Sequence, residues 1–127
     1  MKQNNKELLI EAQAWNILIN AYGSHGRGKE AIIIYHNMLA AQVQPTKLTF
    51  NALFSACSHS YLIDECEHLY HSMEEKHKIV PDIMHQNCVV DCFARAGKLD
   101  KALDFVTHKV RQPGMLLCIV ILTFQLN

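Results

Sequence analysis

Three asparagines, Asn16, Asn51 and Asn87, return at intervals of 35 and 36 residues. A carboxamide donates through its N–H groups and accepts through its oxygen, so a row of such groups facing one surface can read nucleobase edges. Asn also caps helix starts, and capping would recur with the same period. A second constellation is His85, Cys88 and Cys92, residue types that hold zinc and that fall on neighbouring turns of a helix. Cys88 and Cys92 share their repeat phases with Ile17, Ala52, Ala21 and Ala56, so packing accounts for both and no metal is expected.

No Ser-His-Asp order, phosphate-cradling glycine loop or paired-carboxylate site is present. Glu30, Glu65 and Asp100 read as solvated helix starts. The His-x-Glu and Cys-x-x-Cys pattern of a zinc deaminase is also missing. The expectation is a protein without enzymatic activity or cofactor.

Composition narrows the partners. Lys and Arg number 12, as do Asp and Glu, for a formal charge of zero over 127 residues. Indiscriminate attraction to phosphates therefore has little support, and nucleic-acid recognition would have to come from placed side chains. The eight His are the main reserve of extra positive charge. Five cysteines, an odd number, without a charged-then-apolar leader point to free thiols in a reducing compartment. The opening residues 1–7 carry no Arg or Ser and no visible targeting peptide.

The elements that would position the asparagines follow from the same period. Ala21, Ala56 and Cys92 recur in phase, as do Ala31, Cys66 and Ala102, Met38 and Met73, and Pro45 and Pro81. Leu18-Ile19, Leu53-Phe54 and Val89-Val90 form one apolar ridge. Ile34-Tyr35, Leu69-Tyr70 and Phe105-Val106 form another. The pattern predicts two amphipathic helices per repeat: first helices near 15–24, 49–58 and 84–95, and second helices near 29–40, 63–76 and 99–109. Glycines in His25–Gly28 and Ala96-Gly97 supply the reversals, with Tyr61 standing in for glycine in the middle repeat. The small residues at recurring phases are expected where the two helices of one hairpin approach closely. The fold class is all-α, an α-α superhelix or solenoid of helix-turn-helix repeats. It divides into an extension or partial preceding repeat at 1–11, repeats at 12–46 and 47–82, a partial repeat at 83–112, and an apolar tail at 113–127.

Trp15-Asn-Ile-Leu-Ile-Asn-Ala-Tyr22, Gly28-Lys-Glu-Ala-Ile32 and Val43-Gln-Pro45 resemble the pentatricopeptide repeat motif. Thr49-Phe-Asn-Ala-Leu-Phe-Ser-Ala-Cys-Ser-His59 and Val89-Val-Asp-Cys-Phe-Ala-Arg-Ala-Gly-Lys-Leu-Asp100 repeat that resemblance. The 36-residue middle copy is similar to the mixed-length, PLS-type subclass. The resemblance covers roughly residues 12–110. It implies a TPR-like solenoid reading single-stranded RNA, one nucleotide per repeat, with first helices lining the groove. Carried onto this sequence, the base-selecting residues are Asn16 with Thr46, Asn51 with Asp82, and Asn87 without a partner. Asn51 with Asp82 resembles the pair associated with uracil, and Asn16 with Thr46 leans towards pyrimidines. The base-sandwiching positions are Gln13, Leu48 and Met84, where the polar Gln13 departs from the family's apolar pattern. The resemblance also implies a mitochondrial location, other RNA-processing proteins as partners, and a role in editing, splicing or stability of organellar RNA.

Two rival readings are a protein-binding solenoid of the tetratricopeptide type, whose period is about 34 residues, and an inactive fragment of a larger repeat protein. The tail Met115–Phe124 is too short for the ~20 residues of a membrane helix, so no membrane association is expected. It leaves the repeat register after Gln112-Pro-Gly114, as truncation, a frame shift or unspliced sequence would produce.

Overall fold

A computed structural model describes residues 5–110, with side chains described for residues 6–108. The tail at 113–127 and its assignment lie outside the described residues. Within them the chain forms α1 (Asn5–Ser24), α2 (Gly28–Ala40), α3 (Lys47–Ser60), α4 (Ile63–Glu75), α5 (Ile83–Arg95) and α6 (Leu99–Phe105), the last running into a π-helical turn at Val106–Val110. No strand occurs among the described residues, and none of the described helices is long and apolar enough to cross a membrane.

Each hairpin is closed by one residue with a left-handed backbone. Gly26 has φ 73°, Tyr61 φ 58° and Gly97 φ 76°. The following N–H in each case reaches back five residues: Arg27 to the Tyr22 carbonyl (3.0 Å), Leu62 to Cys57 (2.9 Å) and Lys98 to Phe93 (2.8 Å). These bonds satisfy carbonyls that the helix end would otherwise leave open. Tyr61 thus takes glycine's role in the middle repeat despite its side chain. Gln42 (φ 61°) and Lys78 (φ 57°) perform the same reversal after α2 and α4, a feature with no glycine to announce it.

The first helices α1, α3 and α5 lie side by side in one layer. In a second layer, α2 packs on α1 and α3, and α4 packs on α3 and α5. Each of these second helices therefore covers the seam between its own repeat and the next, so a hairpin completes its core only by stacking. Along the seam an aromatic chain runs from Tyr35 to Phe50 (centroids 5.8 Å), Phe54 (6.0 Å), Tyr70 (6.1 Å), Phe105 (5.1 Å) and Phe93 (6.0 Å). These separations fall in the range where edge-to-face and tilted ring pairs attract.

Three sequence expectations change. The first helix starts at Asn5, well before the expected residue 15, so residues 5–11 are continuous with the helix that opens the 12–46 repeat. The small residues do not all line the inside of a hairpin. Ala56 faces the neighbouring repeat, where a Cβ on Gly23 of α1 would come within 2.6 Å of its own Cβ. Ala21, at the same phase, is exposed, and Leu18 of the expected ridge is 48% exposed, because no described element packs on that side of α1.

Candidate nucleic-acid interface

The three first helices present one edge of their layer to a shared groove of about 480 Å3, lined by Gln13, Asn16, Ile17, Asn20, Leu48, Asn51, Ala52, Met84 and Cys88. The lining is carboxamide and apolar, with no charged side chain. Leu48 is 61% exposed, Met84 59% and Ile17 69%, and their grouping along one groove is the kind of apolar patch that marks an interaction site.

The arrangement follows from where the helices start. Thr46 is the N-cap of α3: its Oγ1 accepts from the backbone N–H of Thr49 (3.4 Å), and the Thr46 N–H donates to Thr49 Oγ1 (2.9 Å). Asp82 does the same for α5. Its Oδ1 accepts from the N–H groups of Met84 (3.0 Å) and His85 (3.2 Å). With the caps at 46 and 82, Leu48 and Met84 fall in the first turn and Asn51 and Asn87 in the second. The asparagines are therefore not the caps, and that alternative for Asn51 and Asn87 is removed.

Around the first pair the polar groups converge. Thr49 Oγ1 donates to Asn16 Oδ1 (2.5 Å), and Asn16 Nδ2 donates to Thr46 Oγ1 (3.4 Å). Around the second, Asn51 Oδ1 is buried and has no hydrogen-bond partner among the described residues. Burial pushes the Asp82 carboxyl up, but the N–H groups of His85 and Met84, together with the charges of His85 and Lys47, outweigh it and hold the group below its ordinary range. Asn87 is exposed on α5 and does not line the groove with the others.

Of the predicted residues, Gln13, Asn16, Leu48, Asn51 and Met84 come together in one groove, while Thr46 and Asp82 stand at the helix starts beside it. Cys88 packs against the core, as its repeat phase suggested, and also faces the groove. It is half-buried and lines the groove with Ile17 and Ala52, while Cys92, read as its packing companion, is fully buried. Asn20 and Thr49 were not singled out from sequence. The Thr-x-x-Thr spacing at Thr46 and Thr49 was the available signal, since a hydroxyl three residues after a cap often bonds back to it.

His85 is fully buried, and its ring is spoken for. Nε2 donates to the Lys47 carbonyl (2.8 Å), and Nδ1 lies 3.0 Å from the Asp82 N–H and 2.9 Å from Asp82 Oδ1. No three His, Cys, Asp or Glu converge on a metal position among the described residues. Cys57, Cys66 and Cys92 are buried in the core. Hydrogen bonding to the other two thiols, then burial, pushes the Cys66 thiol far above its usual range.

The sequence matches the PPR repeat family over residues 12–59, and the PPR repeat over 48–77 and again over 87–107. The chain belongs to the pentatricopeptide repeat family. A pentatricopeptide repeat-containing protein of Arabidopsis thaliana is 39% identical over 82% of this chain and 13% of its own length. The chloroplastic pentatricopeptide repeat-containing protein CRR2 of the same plant is 44% identical over 80% of this chain and 15% of its own. A mitochondrial pentatricopeptide repeat-containing protein, also from Arabidopsis thaliana, is 37% identical over 78% and 14%. The chain thus spans about a seventh of the length of these curated relatives.

Proposed function

We propose that this pentatricopeptide repeat segment binds single-stranded RNA in the groove along α1, α3 and α5, one nucleotide per repeat. The observation that carries the reading is the alternation along one groove of flat or flexible side chains (Gln13, Leu48, Met84) with carboxamides (Asn16, Asn51). A base needs a surface for its face and a donor or acceptor for its edge, and this lining offers both without a cation to hold phosphate. Asn16 with Thr46 addresses one base and Asn51 with Asp82 the next. The carboxylate, held ionised by its environment, suits a base that presents an N–H, as uracil does. Asn87 belongs to a third, incomplete position.

Stacking at about 1–3 kcal/mol per base gives weak binding from two sites. The segment therefore works within a longer array, recruiting RNA for editing, splicing or stabilisation together with other RNA-processing proteins, and has no catalytic role of its own. The relatives named for mitochondria and chloroplasts support an organellar location, with the mitochondrion as the reading carried from sequence.

The test compares a pyrimidine-rich single strand with a random one by fluorescence anisotropy at fixed salt, for the full chain and for Asn51→Ala and Asp82→Ala. Each variant is expected to lose about threefold to tenfold in affinity for the pyrimidine-rich strand, the size of one hydrogen bond. Unchanged binding in both variants rejects the site.

A further inference from the structure

Two asparagines at the same repeat phase are held differently. Thr49 is fully buried, and its hydroxyl stands between both members of the first base-facing pair. The Thr46 N–H donates to Thr49 Oγ1 at 2.9 Å, which occupies that oxygen as an acceptor. Its single proton then has two acceptors in reach, Asn16 Oδ1 at 2.5 Å and Thr46 Oγ1 at 3.3 Å. The shorter contact, to an oxygen that can only accept, takes the proton. Asn16 Oδ1 is thereby turned into the protein, and Nδ2 is turned outward. One of its N–H groups goes to Thr46 Oγ1 at 3.4 Å, and the other stays available in the groove.

At the second site the residue in the place of Thr49 is His85. Whether its ring is neutral or protonated, the Nε2 proton is spent on the Lys47 carbonyl, and Nδ1 is engaged with Asp82. No proton reaches Asn51 Oδ1, which is buried without a partner among the described residues. The amide of Asn51 is not pinned by a hydroxyl as that of Asn16 is.

We infer that Thr49 is a positioning residue for base selection at the Asn16–Thr46 site: its hydroxyl fixes the Asn16 amide with the N–H side facing the groove. This rests on the RNA-binding reading of the groove. A pinned donor selects a base edge that accepts. Cytosine accepts at N3 where uracil donates, so the ratio of cytosine to uracil affinity at this nucleotide reports the orientation. An amide free to rotate could offer its oxygen instead and would blur that ratio.

The experiment uses the full chain with short single-stranded RNAs in which the nucleotide facing Asn16 and, separately, the one facing Asn51 is cytosine or uracil. Asn16→Ala first establishes that the site reads a base, and loss of discrimination at the first nucleotide is expected. Thr49→Val, of nearly the same shape but without a hydroxyl, is expected to reduce the cytosine-to-uracil ratio there by about threefold to tenfold. It should leave the ratio at the second nucleotide unchanged, and Thr49→Ser should restore the first. Far-ultraviolet circular dichroism checks that each variant is folded. Should Thr49→Val not fold, Asn16→Asp serves instead: it places an acceptor where the N–H stood and should move the preference from cytosine towards uracil.

If Asn16→Ala leaves discrimination intact, the RNA reading fails and the inference fails with it. If Asn16→Ala abolishes discrimination while Thr49→Val keeps it, or while Asn16→Asp leaves the preference unmoved, the reading stands and the positioning role of Thr49 is overturned.

Discussion

A Cβ built on Gly23 would stand 2.6 Å from the Cβ of Ala56 and 3.0 Å from its Cα, across the boundary between the first and second repeats. In an open helix, replacing glycine by alanine stabilises by up to about 1 kcal/mol. Here the sign reverses, because the obstacle includes backbone that cannot rotate away. Gly23→Ala is expected to destabilise the chain by about 1–3 kcal/mol, measured by urea denaturation. An unchanged or raised midpoint would contradict the close stacking of α1 on α3.

Tyr61 occupies a left-handed backbone conformation at φ 58° with its side chain 60% exposed. An L-residue held there loses about 1–2 kcal/mol, and little packing is recovered in return. Tyr61→Gly is therefore expected to raise stability by about 1 kcal/mol and to increase Tm, read by thermal circular dichroism. A fall in Tm would show that the exposed ring contributes more than the reversal costs.

Acid should weaken the fold in two steps. Burial, then the nearby Lys76 charge, lowers the affinity of His77 for a proton in the folded chain, below the ordinary 6.5. The unfolded chain binds that proton more readily, so the stability involved is present above pH 6.5 and is lost as pH falls towards the lower folded value. The Asp82 carboxyl is also held below its ordinary 3.8, so its capping contribution is present above that pH and disappears as pH drops through the folded value. A urea midpoint measured against pH should decline first below about 6.5 and again in the carboxylate range. His77→Gln should flatten the first decline only, and an unaltered profile in that variant would count against the assignment.

Thiol chemistry offers a probe of the groove that does not depend on mutation. Cys57, Cys66 and Cys92 are fully buried, whereas Cys88 is half-buried and lines the groove. Burial, followed by the charges of Asp91 and Asp82, pushes the Cys88 thiol up and makes its alkylation slow. Mass-spectrometric mapping with iodoacetamide should find Cys88 labelled slowly in the native state, and Cys57, Cys66 and Cys92 only in denaturant. Saturating single-stranded RNA is expected to slow Cys88 further, and labelling indifferent to RNA would place the ligand elsewhere.

Much of this architecture can be read along the chain. The return of Asn16, Asn51 and Asn87, the ridges at Leu53-Phe54 and Val89-Val90, and the reversals at Gly26, Tyr61 and Gly97 are set by residues a few positions apart. Apolar spacing and turn chemistry act at that range, so helix number, hairpin order and the groove-lining phase of Asn16 and Asn51 were legible. The reversals at Gln42 and Lys78 were not, because neither residue type signals a left-handed backbone.

What a linear reading could not supply depends on how far one helix slides against the next. That offset brings Gly23 against Ala56 across repeats and sets Ile17 and Cys88 in the groove wall. It also carries the Thr49 hydroxyl to Asn16, 33 positions away, while the ring of His85 bonds instead to Lys47. The chain's own order settled which elements form, through local backbone preferences. Their lateral packing decided which side chains share a hydrogen bond, because that is a sum over contacts no single stretch contains.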